Sequence, residues 1–232
     1  MDVDSDSSVR NEVARIQKEA GNIDVLINNA GVERTGSIEE LSLADFRLVM
    51  ETNYFGPIRC IQAVVTQMRQ RKSGCIINVA SVAGHIASAP MAPYTASKYA
   101  LEALSEALAQ EMKTFNVRVA IVEPGIIETP MARRIEEPRG DSAYSQQRRF
   151  ADLFVASLKN PTQPSIVAEK IRWIIESGTW KLRHPVGPDA EPLLAWRKGM
   201  TDEEWVDLHA ADDDTWYERM ESTFGMAIRP KS

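Results

Sequence analysis

Sulfur and imidazole are scarce in this chain. It has two cysteines and three histidines in 232 residues. Cys60 and Cys75 lack metal-ligand spacing, and a single pair implies no disulfide framework. His85, His184 and His209 are scattered, so no metal site is expected. A reducing, cytoplasmic compartment is the simplest reading of such cysteine usage. No apolar run approaches the ~20 residues that span a bilayer, so no membrane span is expected. The net charge is −6 and no basic stripe is visible, which argues against nucleic acid as a partner. The start, Met1 to Ser8, is acidic and Ser-rich, unlike a secretory signal. Internal repeats and low-complexity segments are absent as well.

What is present is an alternation. Val9, Val13, Ile16 and Ala20 recur at helical period, with Ser7 or Ser8 as cap and Gly21 as stop. Ile23 to Ile27 reads as a buried strand, ended by the turn signal Asn28-Asn29-Ala30-Gly31. Ser42 to Met68 reads as a long helix that Pro57 should kink or loosen. Cys75 to Val79 reads as a second strand, Ala100 to Phe115 as a helix, and Val117 to Val122 as a third strand before Pro124-Gly125. Residues 126–160 are irregular, with apolar Phe150, Leu153, Phe154 and Leu158, and suit a flap over a site. Ser165 to Ser177 then suits a helix and Lys181 to Val186 a last short strand. From residue 188 a helical extension carries Trp196, Trp205 and Trp216, with a helix start at Thr201 and a solvated turn at Asp212-Asp213-Asp214. Strands alternating with helices imply one α/β domain over residues 1–232 built on a parallel sheet.

Three polar clusters follow the three strands: Asn28–Gly31, Ser81 and Pro124-Gly125. Ligands of open parallel sheets bind at the carboxyl ends of the strands, so the clusters fall where a site belongs. Tyr94 and Lys98 stand four apart at a helix start and share a face. An ammonium beside a phenol lowers the phenol's pKa and makes it a usable acid/base. The pair, with the Ser81 hydroxyl, is a candidate acid/base cluster.

The ordered set Asn28-Asn29-Ala30-Gly31, Asn53, Ser81, Tyr94-x-x-x-Lys98, Pro124-Gly125 and Thr129 resembles the short-chain dehydrogenases/reductases over about residues 2 to 187. The resemblance implies a three-layer, Rossmann-type parallel sheet and NAD or NADP as cofactor. It implies oxidation of an alcohol or reduction of a ketone or aldehyde. Tyr94 would be the acid/base, Lys98 would lower its pKa and bind the nicotinamide ribose, and Ser81 would hold the substrate oxygen. Asn53 would anchor a water for proton relay. Asn28, Ala30 and Gly31 would pass the adenosine half, Pro124, Gly125, Ile127 and Thr129 would frame the nicotinamide, and Asp2-Val3 would flank the adenine. Thr129 also suits a helix cap, and the two roles are compatible.

One part of the family pattern is missing. The resemblance calls for an opening strand, a Gly-rich turn and a helix whose N-terminus holds the pyrophosphate. A βαβ unit needs ~30 residues or more, and too few precede Ile23. The fold is therefore expected to be N-terminally truncated, with the first βαβα missing and Ile23–Ile27 as an edge strand. Either the chain is a fragment or it is a shortened family member. The apolar flap favours a lipophilic substrate, and the family habit implies a homodimer or homotetramer. The alternative is a non-catalytic homologue that serves as a dimerisation or regulatory partner.

Overall fold

Four parallel strands, in the order β1-β2-β3-β4, form the sheet of the computed structural model, which describes residues 1–135 and 142–230. They are β1 (Val25–Asn28), β2 (Gly74–Val79), β3 (Val117–Pro124) and β4 (Arg183–Val186). Val25 is level with Cys75, Asn28 with Asn78, Val79 with Val122 and Pro124 with Val186. The carboxyl ends of the strands therefore reach one edge together. β2 and β3 are almost continuously apolar because both of their faces are covered.

The helices that precede and separate the first strands are α1 (Asp6–Ala20), α2 (Leu43–Met50), α3 (Gly56–Arg71) and α4 (Ala92–Lys113). Alternation along the strands sorts side chains between two layers. Ile76, Val117 and Val119 meet α1, α3 and α4 through Val9, Val13, Cys60, Val64, Met68 and Leu108. Cys75, Ile77, Ala120, Val122 and Val186 meet α7 (Pro164–Ser177) through Val167, Ile171 and Ile174. Helix, sheet and helix make the three layers of a Rossmann-type α/β fold. β1 is an edge strand, as expected, and its Ile27 is 42% exposed.

Local details beside the sequence reading have physical causes. Ser5, not Ser7 or Ser8, caps α1 by accepting from the Ser8 N–H at 3.3 Å, while Ser8 Oγ accepts from the Asp2 N–H. Pro57 loosens the long helix read over Ser42 to Met68, as expected. A π-helical turn, Glu51–Phe55, separates α2 from α3, and Pro57 occupies the first turn of α3, where its missing N–H is tolerated. α4 starts at Ala92, ahead of the Ala100 to Phe115 segment, which puts Tyr94 and Lys98 in its first two turns as read, and those turns bury polar Thr95 and Ser97. Asp212 is a helix cap rather than a loose turn residue. Its Oδ1 accepts from the Thr215 N–H at 2.9 Å, and Asp213 and Asp214 fill the first turn, where negative charge is favoured.

Beyond β3 come α5 (Pro130–Ile135) and α6 (Ser145–Ser157), then α7, β4, α8 (Ala190–Lys198), α9 (Asp202–Ala210) and α10 (Asp213–Phe224). Of the stretch read as a flap, 126–160, residues 136–141 with Gly140 lie outside the described residues. The rest covers the carboxyl edge: Ile135, Phe150, Phe154 and Leu158 pack with Met91 and Tyr94. A second apolar cluster ties α6 to the C-terminal helices through Leu153, Trp196, Trp216, Tyr217 and Met220.

Candidate active site

Ser81 follows β2 in extended backbone and caps a short 3-10 turn, Val82–Gly84, accepting from the Ala83 N–H at 3.1 Å. Its hydroxyl is 3.4 Å from the Pro124 carbonyl at the end of β3. The Ser81 hydroxyl also acts on Tyr94, drawing the phenol's pKa down. Tyr94 and Lys98 lie on one face of α4, with the Lys98 ammonium 5.5 Å from the centre of the Tyr94 ring. Lys98 is buried and donates to the Val79 carbonyl at 2.8 Å. Serine, phenol and ammonium, from two elements of the same edge, thus form one cluster.

Asn53 sits in the π turn, fully buried. Its Oδ1 accepts from the Val32 N–H at 2.8 Å, and its Nδ2 donates to the Val32 carbonyl and to Ser97 Oγ, both at 2.9 Å. Ser97 Oγ in turn donates to the Tyr94 carbonyl at 2.7 Å. The Asn53 side chain acts as a clamp. It joins the loop after β1 to the turn of α4 that carries Tyr94.

The other residues singled out in the sequence divide into two groups. Gly31, Pro124, Gly125, Ile127 and Thr129 line one cavity of about 790 Å³ together with Ser81, Tyr94 and Lys98. Thr129 also caps α5, accepting from the Ala132 N–H at 3.1 Å. Asn28 is not at the cavity. Its Nδ2 donates to Asn78 Oδ1 at 2.8 Å, Asn78 Nδ2 donates to Ser105 Oγ at 2.8 Å, and Ser105 donates to the Leu101 carbonyl, a buried relay from β1 to α4. Ala30 is exposed, while Asn29 lines the cavity. Asp2 and Val3 lie at the start of α1, where the Asp2 carboxylate accepts from the Asp4 N–H and Val3 packs on Gly56.

Electrostatics depart from the expectation that Lys98 lowers the Tyr94 pKa. Burial dominates and pushes Tyr94 up to about 12, with the Ser81 hydroxyl pulling down and the Glu33 carboxylate pushing up. Burial likewise brings Lys98 down to about 8, opposed by Glu102. The ammonium is turned onto the Val79 carbonyl, so it does not compensate a phenolate. In this geometry the phenol is a proton donor at neutral pH.

Sequence reading missed the group that stands one helical turn beyond Lys98. Glu102 and Glu123 are both buried, and His85 Nε2 lies 2.8 Å from Glu123 Oε1 and 3.6 Å from Glu102 Oε2. Arg183 donates to Glu102 at 3.0 Å. The two carboxylates hold His85 charged, its pKa raised to about 9. The ligand atoms of His85, Glu102 and Glu123 lie within 4.8 Å of one another, so a metal could sit there, although Arg183 already supplies positive charge. Seventeen to thirty-eight positions separate His85, Glu102 and Glu123 in the chain, so no spacing motif could show them. Asn78 and Ser105 were hidden for the same reason, as polar positions within apolar elements.

The cavity fits the nicotinamide end of a dinucleotide. Gly31 borders the ammonium directly, since a Cβ there would stand 3.5 Å from Asn53 Oδ1 and 3.9 Å from Lys98 Nζ, in ordinary contact. Val79 takes one of the three donors of the ammonium. Among the described residues there is no Gly-rich turn of the kind that cradles a pyrophosphate.

Comparison with known proteins places the chain in a family. A family model described as short chain dehydrogenase matches residues 1–140. A 3-ketodihydrosphingosine reductase of Bacteroides thetaiotaomicron is 36% identical over 207 residues, 85% of this chain and 75% of that protein. A solved short-chain dehydrogenase from Streptomyces avermitilis is 30% identical, with a TM-score of 0.75 over 96% of this chain and 78% of that one. A solved NAD+-bound xylitol dehydrogenase is 26% identical, with a TM-score of 0.70 over 80% of this chain and 76% of that one.

Proposed function

Because the chain belongs to the short-chain dehydrogenase family, we propose that it is an NAD(P)-dependent oxidoreductase that interconverts an alcohol and a ketone or aldehyde by hydride transfer, with Tyr94 as acid/base. The observation that carries the reading is the convergence of Ser81, Tyr94 and Lys98 at one end of one cavity. A nicotinamide cofactor, bound, would supply or take up the hydride. Lys98 and the loop from Pro124 to Thr129 would hold its nicotinamide end. The NAD+-bound relative supports a nicotinamide cofactor here, without choosing NAD over NADP.

The chain's own part is position and proton. Ser81 and Tyr94 present two hydroxyls to a substrate oxygen. In reduction, the neutral Tyr94 phenol donates its proton to the carbonyl oxygen as negative charge develops there. In oxidation, the phenolate takes the proton from the alcohol. The Asn53–Ser97 clamp fixes the turn that aims Tyr94. A small-molecule alcohol or carbonyl compound is the substrate class.

Homodimer or homotetramer formation and a cytoplasmic location belong to the same reading. Leu48, Phe55 and Tyr99 are 37%, 44% and 43% exposed on α2, the π turn and α4, apolar surface that a second copy could cover. Cys60 and Cys75 are free and buried, with thiol pKa values raised by burial. Among the described residues no helix is long and apolar enough to cross a membrane. The direct test is titration of the purified chain with NADH and NADPH, followed by fluorescence and by turnover of small ketones. Saturable binding of one cofactor is expected, and no binding of either at millimolar concentration would overturn the reading.

A further inference from the structure

The cavity that ends at Ser81 and Tyr94 has a second part that proton transfer does not use. Phe150 packs on Tyr94, and its ring lies 4.9 Å from that of Phe154. Past them the lining comes from α6, α8, α9 and α10: Leu153, Trp196, Trp205, Trp216, Met220 and Phe224. Met226 and Ser157 complete this arm.

Arg149, Gln146, His209 and Trp205, polar side chains of the arm, are engaged by the protein. Arg149, which is 3% exposed, donates to Asp213 at 2.6 Å. Gln146 donates to the His209 carbonyl at 3.2 Å, and His209 Nδ1 is 2.9 Å from the Trp205 carbonyl. The Trp205 indole donates to the Ala87 carbonyl at 2.8 Å, which leaves its ring as wall. A phosphate, carboxylate or sugar entering the arm would lose hydration and find these partners occupied. A hydrocarbon chain would lose nothing and would remove the aromatic and Met walls from water. Folded interiors are close-packed, so an apolar void of this size, open to catalytic side chains, has the form of a ligand site rather than a packing fault.

We propose that this arm holds the hydrocarbon tail of the substrate, so that the substrate is a long-chain alcohol or ketone with its oxygen at Ser81 and Tyr94 and its tail among Leu153, Trp196, Trp216, Met220 and Met226. Placement of the oxygen rests on the oxidoreductase reading; binding of the tail does not.

Methyl ketones of increasing chain length test the two separately. Trp196, Trp205 and Trp216 line the arm, so intrinsic fluorescence reports tail binding without turnover. Affinity should rise about fourfold per added methylene until the arm is full. Ser157→Phe and Leu153→Phe narrow the arm from the α6 side, and each should cut the long-to-short affinity ratio at least tenfold. Affinity independent of chain length, or a ratio kept by both variants, overturns the proposal. Chain-length-dependent binding with no turnover by either cofactor leaves the tail site standing and sinks the oxidoreductase reading. Turnover of short ketones with no chain-length gain does the reverse.

Discussion

Two buried groups of charge lie one helical turn apart on α4 and respond to burial in opposite ways. At Tyr94 and Lys98 each ionised form lacks a close counter-charge, and burial drives the phenol up to about 12 and the ammonium down to about 8. At His85, Glu102, Glu123 and Arg183 the charges pair within about 3 Å, and His85 is held protonated, its pKa raised to about 9. Desolvation acts on both groups; a partner at hydrogen-bond distance decides the sign. The first group therefore holds a transferable proton, and the second holds charge in place beneath it.

The largest effect should come from breaking the first group. Tyr94→Phe removes the proton donor and should lower turnover at least a hundredfold while leaving the thermal midpoint near wild type. Stopped-flow or steady-state rates with calorimetry check both halves, and unchanged turnover would mean the assignment is wrong. With the phenol near 12, the rate of alcohol oxidation should climb as pH rises from 7 to 10, since oxidation needs the phenolate. Carbonyl reduction should not climb.

Breaking the second group should cost stability rather than chemistry. Glu102→Gln takes one carboxylate from His85 and Arg183, which are about a third exposed and keep Glu123 beside them, and should destabilise the fold by about 1.5 kcal/mol, read from urea unfolding. It also removes the charge that holds the Lys98 pKa up, so Lys98 should titrate lower.

The pH dependence gives a finer separation. The His85 pKa is raised on folding, so its contribution is complete below about 6.5 and disappears as pH climbs through about 9. Lys98 works the other way: its folded pKa is depressed to about 8, and its cost is relieved as pH rises beyond that. The difference in thermal midpoint between wild type and His85→Gln isolates the first term, because Lys98 is common to both. That difference should be largest near pH 6 and vanish by pH 10.

The smallest effect is the control. Arg15 pairs with Glu12 and Glu19 at 2.8 Å on the exposed side of α1. Distances match those of the buried group, but water screens the charges. Arg15→Ala should leave the unfolding midpoint unchanged within error.

How far the chain could be read follows the range of the interactions. Apolar runs marked β2 and β3, since strands covered on both faces have no other composition available. The i, i+4 spacing is enough to put Tyr94 and Lys98 on one face of a helix. Caps were read less well. Ser5 and Asp212 won their positions because their backbones take the extended conformation a cap needs, which neighbouring Ser7 and Ser8 do not. The first turns of α4 show in the Tyr94–Lys98 spacing and not in the apolar period, because Thr95 and Ser97 are buried polar residues.

By itself, then, the sequence determined the α/β alternation, the family, and the residue types that meet at the carboxyl edge. Those are properties of local pattern and short spacing, which the chain carries wherever it folds. Only the tertiary structure decided that Asn53 clamps Val32 and Ser97, that Lys98 turns to the Val79 carbonyl, and that His85 meets Glu102 and Glu123. It also decided that an apolar arm opens beyond Tyr94. Hydrogen bonds and desolvation act over a few ångströms of space, not along the chain, so the protonation state of the site became readable only when distant segments were brought together.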